Sequence, residues 1–180
     1  MRSPQTILTT FISLAVTATA ALLLPILFPA HGMSPYPHAT WLPLVVVLAL
    51  VVFAAQSWRV AIRGTRGDVS ISMAIDVATM LLLHPFVAAA GSALGTALYH
   101  LFRRAWKEHR VERAIVRGVV TFAAVGLGGW LFHTLRPQTG PLIFSRDWLA
   151  LAAGICLRLA IRVLFYPLTI AALRPEPVAV

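Results

Sequence analysis

The chain has little charge and almost no cysteine. Only 12% of its 180 residues are charged, whereas a soluble domain carries about 25% charged residues. The single cysteine, Cys156, cannot form an intramolecular disulfide and cannot supply a cysteine-based metal site. Hydrophobic residues instead make up 59% of the chain, and the mean hydropathy is +0.82. This composition indicates an integral membrane protein.

The sequence also lacks the residue patterns of common active sites. It has no paired carboxylates for acid–base catalysis, no glycine-rich phosphate loop before a helix, and no Ser or Cys nucleophile with a base at motif spacing. Most of its acidic residues fall in predicted loops or at helix ends, where pairing with a neighbouring arginine is expected: Asp68, Glu108, Glu112, Asp147 and Glu176. We therefore expect a protein that is not an enzyme and that needs no cofactor.

Apolar runs divide the chain into six predicted helices, because about 20 apolar residues cross the roughly 30 Å hydrocarbon core of a bilayer. We predict an all-α bundle, forming one transmembrane domain over 1–180, with helices at about 6–28, 41–58, 69–83, 85–102, 114–135 and 148–173. The first run is longer than the apolar core of a signal peptide, the rival interpretation. His84-Pro85 separates the third and fourth helices, since proline disfavours helix in the residue before it. The third helix is short, so we expect it to be tilted or partly re-entrant.

The basic residues predict an orientation. If the N-terminus is cytoplasmic and all six segments cross, 11 of the 15 Lys and Arg residues lie on the cytoplasmic side, and two, Arg136 and Arg146, lie on the other. This bias follows the positive-inside rule. A single crossing over 69–102 would place the arginine-rich loops at 59–66 and 103–117 on opposite faces. We therefore predict a bacterial inner-membrane protein with both termini cytoplasmic, and we read the net charge of +9 as membrane orientation rather than nucleic-acid binding.

Small residues recur in the fourth helix at the spacing that lets helices approach closely. Gly91 and Gly95 form a Gly-x-x-x-Gly pair, beside a second row made by Ala88, Ser92 and Thr96. We expect this surface to pack inside the monomer, with dimerisation as the alternative. The fifth helix offers an opposing smooth surface, formed by Ala124, Gly128 and Gly129.

The middle of the chain resembles membrane regions of known protein families. The stretch from GDVSIS through HPFVAAAGSALGTALYHLFRR, and the segment after WKEHR, resemble the multi-spanning N-terminal membrane regions that precede bacterial diguanylate cyclase and HD-type phosphohydrolase domains. They are more distantly similar to the substrate-binding S components of energy-coupling-factor transporters. The resemblance implies a sensor-like or transport-related module that binds a ligand. Two features depart from it: only RPEPVAV follows Leu173, and the first helix lacks the Ala-x-x-x-Ala spacing of S components.

Four histidines are predicted near the non-cytoplasmic face: His31, His38, His84 and His133. Imidazole is a common metal ligand, so their convergence would allow a metal site. None of them has the i, i+4 spacing of a helical metal pair, and two lie in a proline-rich loop. We therefore favour loop and interface histidines, and we predict no metal site.

Three charged residues lie inside predicted membrane helices: Asp76, Arg158 and Arg162. A charge in the bilayer interior costs about 2.5 kcal/mol or more, so such residues face the bundle and find partners. Arg158, Arg162 and Tyr166 recur every four residues and form one polar stripe. We expect Asp76 to pair with one or both arginines, either as a structural bridge or as part of a ligand site. One carboxylate leaves a second guanidinium free to bind an anionic ligand or a lipid headgroup.

Two functions remain open. The first is a membrane-embedded module, sensor-like or transport-related, that binds a small anionic ligand at the three charges. The second is a small accessory subunit that packs against other membrane protein subunits and binds nothing itself. A ligand-binding module should have a polar cavity lined by Asp76, Arg158 and Arg162. An accessory subunit should have those groups mutually satisfied and a small-residue helix face covered by another chain.

Overall fold

The structure, a computed structural model, describes residues 4–27, 40–57, 59–61, 68–102, 110–136 and 143–172. Side chains are described within 11–23, 40–57, 71–102, 111–112, 114–136, 143 and 145–165. These parts of the chain contain six helices, as the sequence predicts. The helices are α1 (Pro4–Leu27), α2 (Trp41–Ser57), α3 (Ser72–Leu82), α4 (Pro85–Phe102), α5 (Arg110–Leu135) and α6 (Phe144–Ala172).

Two three-residue strands, which the sequence did not predict, lie between α2 and α3. Strand β1 (Arg59–Ala61) pairs antiparallel with β2 (Asp68–Ser70), with Val60 opposite Val69. Because this pairing takes up residues 68–70, α3 begins at Ser72 rather than at 69. At about 1.5 Å per residue, the 11 residues of α3 cover about 16 Å, roughly half of the hydrocarbon core.

Three helical stretches are long and apolar enough to cross a membrane: Pro85–Phe102, Ala114–Leu135 and Ser145–Phe165. Large apolar side chains also face outwards on several helices; Leu42 is 72% exposed and Val163 is 71% exposed. In water, so much exposed apolar surface would be unfavourable, whereas lipid tails accept it. The described part of the chain therefore has the surface expected of a membrane protein.

Helix α5 forms the centre of the bundle. It packs against α4, α6, α1 and α3, while α2 packs mainly on α4. Small residues allow the close contacts: a Cβ added to Gly118 would lie 3.3 Å from the Cβ of Ala97 in α4, and one added to Gly126 would lie 3.3 Å from the Cβ of Ala21 in α1.

The contacts between α2 and α4 show that these two helices run in the same direction. Gly91 packs on Leu48, and Gly95 packs on Val52, so residue numbers rise together along the pair. At the start of both helices, the rings of Trp41 and His84 lie 4.7 Å apart. The chain must therefore return along the bundle between α2 and α4, which supports the predicted break at Pro85. We call the end of the bundle near Trp41 and His84 the His84 end.

Candidate functional site

The predicted charged residues meet between α3 and α6, at a point where glycines of α5 and α6 allow close packing. A Cβ added to Gly128 would lie 2.8 Å from the carbonyl oxygen of Gly154, 3.0 Å from Sδ of Met80 and 3.2 Å from Cβ of Arg158. Met80 is one turn after Asp76 in α3, and Gly154 is one turn before Arg158 in α6. The small surface of α5 at Gly128 therefore brings both charged residues to the same place.

Asp76 binds both arginines through one oxygen. Its Oδ2 accepts a hydrogen bond of 2.6 Å from Nη2 of Arg158 and one of 3.1 Å from Nη2 of Arg162. The side chains of Asp76 and Arg158 are 0% exposed, whereas that of Arg162 is 28% exposed. The pairing predicted from the sequence is thus present, and the structure identifies Arg158 as the deeper and closer partner. We call Asp76, Arg158 and Arg162 the charge cluster.

The arginines of the charge cluster lie far from both ends of α6. Arg158 has 14 residues of α6 on each side, which at about 1.5 Å per residue is about 21 Å. Removing an aspartate and an arginine from water costs several kcal/mol per ion, and their attraction offsets this cost only when the remaining polar atoms also find hydrogen bonds. The number of satisfied atoms therefore decides whether the cluster is a complete structural bridge.

Several polar atoms of the cluster remain unsatisfied. Among the described residues, Nε and Nη1 of Arg158 and Oδ1 of Asp76 are buried without a hydrogen-bond partner. Leaving a buried donor or acceptor unpaired costs about 1–3 kcal/mol, and more for a charged group. Arg158 thus uses one of its three nitrogens on Asp76 and presents the other two inside the bundle. Arg162 also has an interaction beyond this carboxylate, so the charge count alone does not identify a ligand site.

The fourth residue of the predicted polar stripe, Tyr166, lies in α6, but its side chain is outside the described residues. Gly154, at the other end of the same stripe, is buried and forms the close contact with Gly128. The stripe is therefore continuous with the surface by which α6 packs on α5.

The small-residue surface of α4 is covered by the chain itself. An added Cβ at Gly91 would lie 2.6 Å from Leu48, and one at Gly95 would lie 2.5 Å from the carbonyl oxygen of Ala49, both in α2. Thr96 accepts a 2.8 Å hydrogen bond from Nε2 of Gln56, also in α2. The other two residues of the predicted surface are buried: Ala88 packs with Met80 and Val125, and Ser92 is 0% exposed.

The expectation that glycines of α5 oppose α4 is correct for one of the two glycines. A Cβ added to Gly129 would lie 3.6 Å from Cβ of Pro85 in α4, whereas Gly128 contacts α6 and α3 instead. A glycine lets any backbone approach, so its presence does not identify the neighbour.

Two of the four predicted histidines lie together at the His84 end. His133 is buried beside the backbone of Met80 and Leu83, and His84 is close to it. Within the described parts of the chain, no group of three His, Cys, Asp or Glu side chains could hold a metal ion. The remaining two, His31 and His38, lie outside the described residues.

A second buried carboxylate lies near the start of α6. Asp147 accepts a hydrogen bond of 3.0 Å from the backbone N–H of Ile143, and its oxygens lie 3.1 Å from Nε of Arg146 and 3.3 Å from Nε of Arg136. This is the pairing with neighbouring arginines that the sequence predicts. It joins the end of α5 to the beginning of α6.

The sequence interpretation assigned Ser92 only to helix packing, although its hydroxyl is a further buried polar group without a partner among the described residues. The sequence carries no signal for this, because the contacts of α4 with its neighbours decide whether the hydroxyl has a partner.

No protein-family model, curated protein or solved structure gives a significant match to the chain.

Proposed function

We propose that the protein is a six-span, non-enzymatic protein of a bacterial inner membrane that binds a small anionic ligand at the charge cluster. In this proposal both termini are cytoplasmic, and the protein acts as a sensor-like or transport-related binding module. The observation that carries the proposal is the state of Arg158, which is fully buried and has two N–H-bearing nitrogens without partners among the described residues.

An anion suits these nitrogens better than a neutral group. Hydrogen bonds in which a guanidinium meets an anionic oxygen are roughly twice as strong as neutral ones. Ligand sites near the middle of membrane bundles commonly join interrupted helices, whose ends lie inside the membrane. Here the short helix α3 supplies Asp76, and it stops at Leu82 just before the break at Pro85.

The direction of the helices supports the six-span topology. Helix α5 runs parallel to α1, because Ala21 packs near Gly126, and Leu14 packs near Val116 and Val120.

Helix α4 runs antiparallel to α5, because Gly118 lies near Ala97 while Gly126 lies near Ala89. Since α2 is parallel to α4 and α1 is parallel to α5, the directions of these four helices are those of a chain whose successive helices alternate. Alternation is what six successive crossings require. The proposed cytoplasmic location of both termini is supported by the excess of Lys and Arg in the segments assigned to that side.

The accessory-subunit alternative receives less support. It requires a small-residue surface available to another chain, but α2 already covers Gly91 and Gly95. It also requires a charge cluster whose polar groups satisfy one another, whereas three polar atoms of Asp76 and Arg158 have no partner in the described parts of the chain.

Mass spectrometry of the protein purified from native membranes tests the proposal. We expect a small anion to co-purify with the wild-type protein and to be lost from the double variant Asp76→Asn/Arg158→Met, in which both buried charges are removed together so that neither remains unpaired. The variant Arg146→Gln serves as a control, because it removes one arginine at the His84 end and should retain the ligand. Recovery of a stoichiometric protein partner without any small molecule would contradict the proposal.

A further inference from the structure

Ser92 of α4 behaves unlike other hydroxyl-bearing residues in this bundle. A serine or threonine inside a helix commonly donates to the carbonyl four residues earlier. Thr17, Ser57 and Thr134 do so, with distances of 2.7, 3.3 and 2.8 Å. Ser92 is 0% exposed, yet within the described residues its Oγ has no partner.

The helix register places Ser92 at the depth of the charge cluster. Met80 of α3 and Ala88 of α4 belong to one cluster of buried residues, together with Val125 of α5. Helix α3 runs antiparallel to α6, because Met80 lies near Gly154 while Asp76 lies near Arg158. Helix α6 runs antiparallel to α5, because Gly154 lies near Phe132 while Arg158 lies near Gly128. Both α4 and α6 are thus antiparallel to α5, and α3, which is antiparallel to α6, is also antiparallel to α4. One helical turn from Met80 and Ala88, in the same direction along the bundle, lie Asp76 in α3 and Ser92 in α4. The two side chains are therefore at similar depth.

The unpaired groups at this depth are of two kinds. Nε and Nη1 of Arg158 need acceptors, whereas Oδ1 of Asp76 needs a donor. The hydroxyl of Ser92 can act as either. A simple anion such as acetate can accept hydrogen bonds from Arg158, but it has no donor for Oδ1 of Asp76. An oxyanion that also carries a hydroxyl group satisfies both.

We propose that Ser92 is a third ligand-contacting residue of the site, and that the ligand is a small hydroxylated carboxylate. This inference rests on the proposed function. The ligand's carboxylate accepts from Arg158, its hydroxyl donates to Oδ1 of Asp76, and Ser92 bonds to the same ligand from α4.

Calorimetric titration of the full-length protein in detergent, with lactate and propionate as probes, tests this inference. The two anions have the same charge and differ by one hydroxyl. We expect lactate to bind wild-type protein at least tenfold more tightly than propionate, because a site that hydrogen-bonds a hydroxyl leaves its own polar groups unpaired with the analogue that lacks one. We expect Ser92→Ala to weaken lactate binding by roughly fivefold, the loss of one hydrogen bond.

Thermal unfolding without ligand separates this role from a structural one. Removing a hydroxyl that has no partner should leave the unfolding midpoint of Ser92→Ala unchanged or higher. The control Ser57→Ala removes a hydroxyl that already donates to Phe53, and it should not change lactate affinity. A lowered midpoint for Ser92→Ala, or unchanged lactate affinity, would overturn the role of Ser92.

The same titrations distinguish this inference from the proposed function. Equal affinity of wild-type protein for lactate and propionate would overturn the requirement for a hydroxyl, while anion binding itself would stand. Absence of binding by either anion would overturn the hydroxycarboxylate assignment. The proposed function would then be judged separately, by whether a different anion co-purifies with the protein.

Discussion

Gly128 of α5 and Gly154 of α6 touch backbone to backbone: a Cβ added to either one would lie within 2.8 Å of the other's carbonyl oxygen. This contact lies one turn of α6 from Arg158 and beside Met80, which is one turn of α3 from Asp76. The distance between α5 and α6 thus determines whether the buried arginine can reach the carboxylate of α3.

We predict that Gly128→Ala lowers the stability of the protein by about 1–3 kcal/mol, because the new methyl group meets a backbone oxygen that cannot rotate away. Gly118→Ala is the matched control in the same helix, since its methyl group would lie 3.3 Å from the Cβ of Ala97, a milder contact. The measurement is the midpoint of thermal unfolding in detergent. Equal losses for the two variants would show that the α5–α6 contact is not especially tight.

Much of the helical framework could be predicted because its signals are local. Long apolar runs predict the six helices, and the His84-Pro85 pair predicts the break between α3 and α4. The start of α3 at Ser72 could not be predicted, because it depends on pairing between residues 59–61 and 68–70. That pairing is a tertiary contact, whereas hydropathy reports only the preference of one segment.

The charge cluster could be predicted because a buried charge is costly and needs a partner. The sequence could not rank the two arginines, since both lie on the same stripe of α6. Their difference in exposure depends on where α3 packs. The unpaired hydroxyl of Ser92 also escaped prediction, because it becomes evident only when the contacts of α4 with its neighbours are known.

A double-mutant cycle should show that Arg158 is the main partner of Asp76. We predict that Asp76→Ala costs about 3–5 kcal/mol, because it leaves a buried guanidinium uncompensated. Adding Arg158→Leu should restore more stability than adding Arg162→Leu, since Arg162 is 28% exposed and lies farther from the carboxylate. The readouts are the yield of folded protein and its unfolding midpoint. Additive losses in both double variants would contradict the pairing.

Substitution on the small-residue surface of α4 should weaken the monomer rather than separate a dimer. We predict that Gly95→Ala lowers stability by about 1–3 kcal/mol, because its methyl group would lie 2.5 Å from the carbonyl oxygen of Ala49 in the same chain. Gly126→Ala, with contacts of 3.3 Å, is the milder control. Light scattering would show an unchanged mass for Gly95→Ala. A halved mass with no change in the unfolding midpoint would instead indicate a dimer interface.

Cysteine labelling checks the six-span topology. In a Cys156→Ser background, we predict that a membrane-impermeant maleimide labels Ser34→Cys in intact spheroplasts, but labels Glu108→Cys only after permeabilisation. The physical reason is the charge bias, which by the positive-inside rule favours a cytoplasmic location for the arginine-rich segment at 103–117. The permeabilised sample controls for thiol reactivity at both positions. Labelling of Glu108→Cys in intact spheroplasts would contradict the orientation.

The ion pairs of Asp147 should hold the beginning of α6 in place. We predict that Asp147→Asn costs about 1.5–3 kcal/mol, the value of a hydrogen bond to a charged group. The reason is that Arg136, whose side chain is 8% exposed, loses its carboxylate, although an asparagine can still accept from the N–H of Ile143. Asp147→Ala should cost more, because it removes that bond as well.

Variants of Arg136 and Arg146 show how much each ion pair with Asp147 contributes to the stability of the protein. Arg146→Gln should cost less than about 1 kcal/mol, because its side chain is 30% exposed and exposed ion pairs contribute little to stability. Arg136→Gln should approach the loss seen for Asp147→Asn. Equal losses for both arginine variants in thermal unfolding would show that burial does not set the strength of these pairs. Because Asp147 lies in the first turn of α6, more than two helical turns from Arg158, none of these changes should affect the anion binding that we propose for the charge cluster.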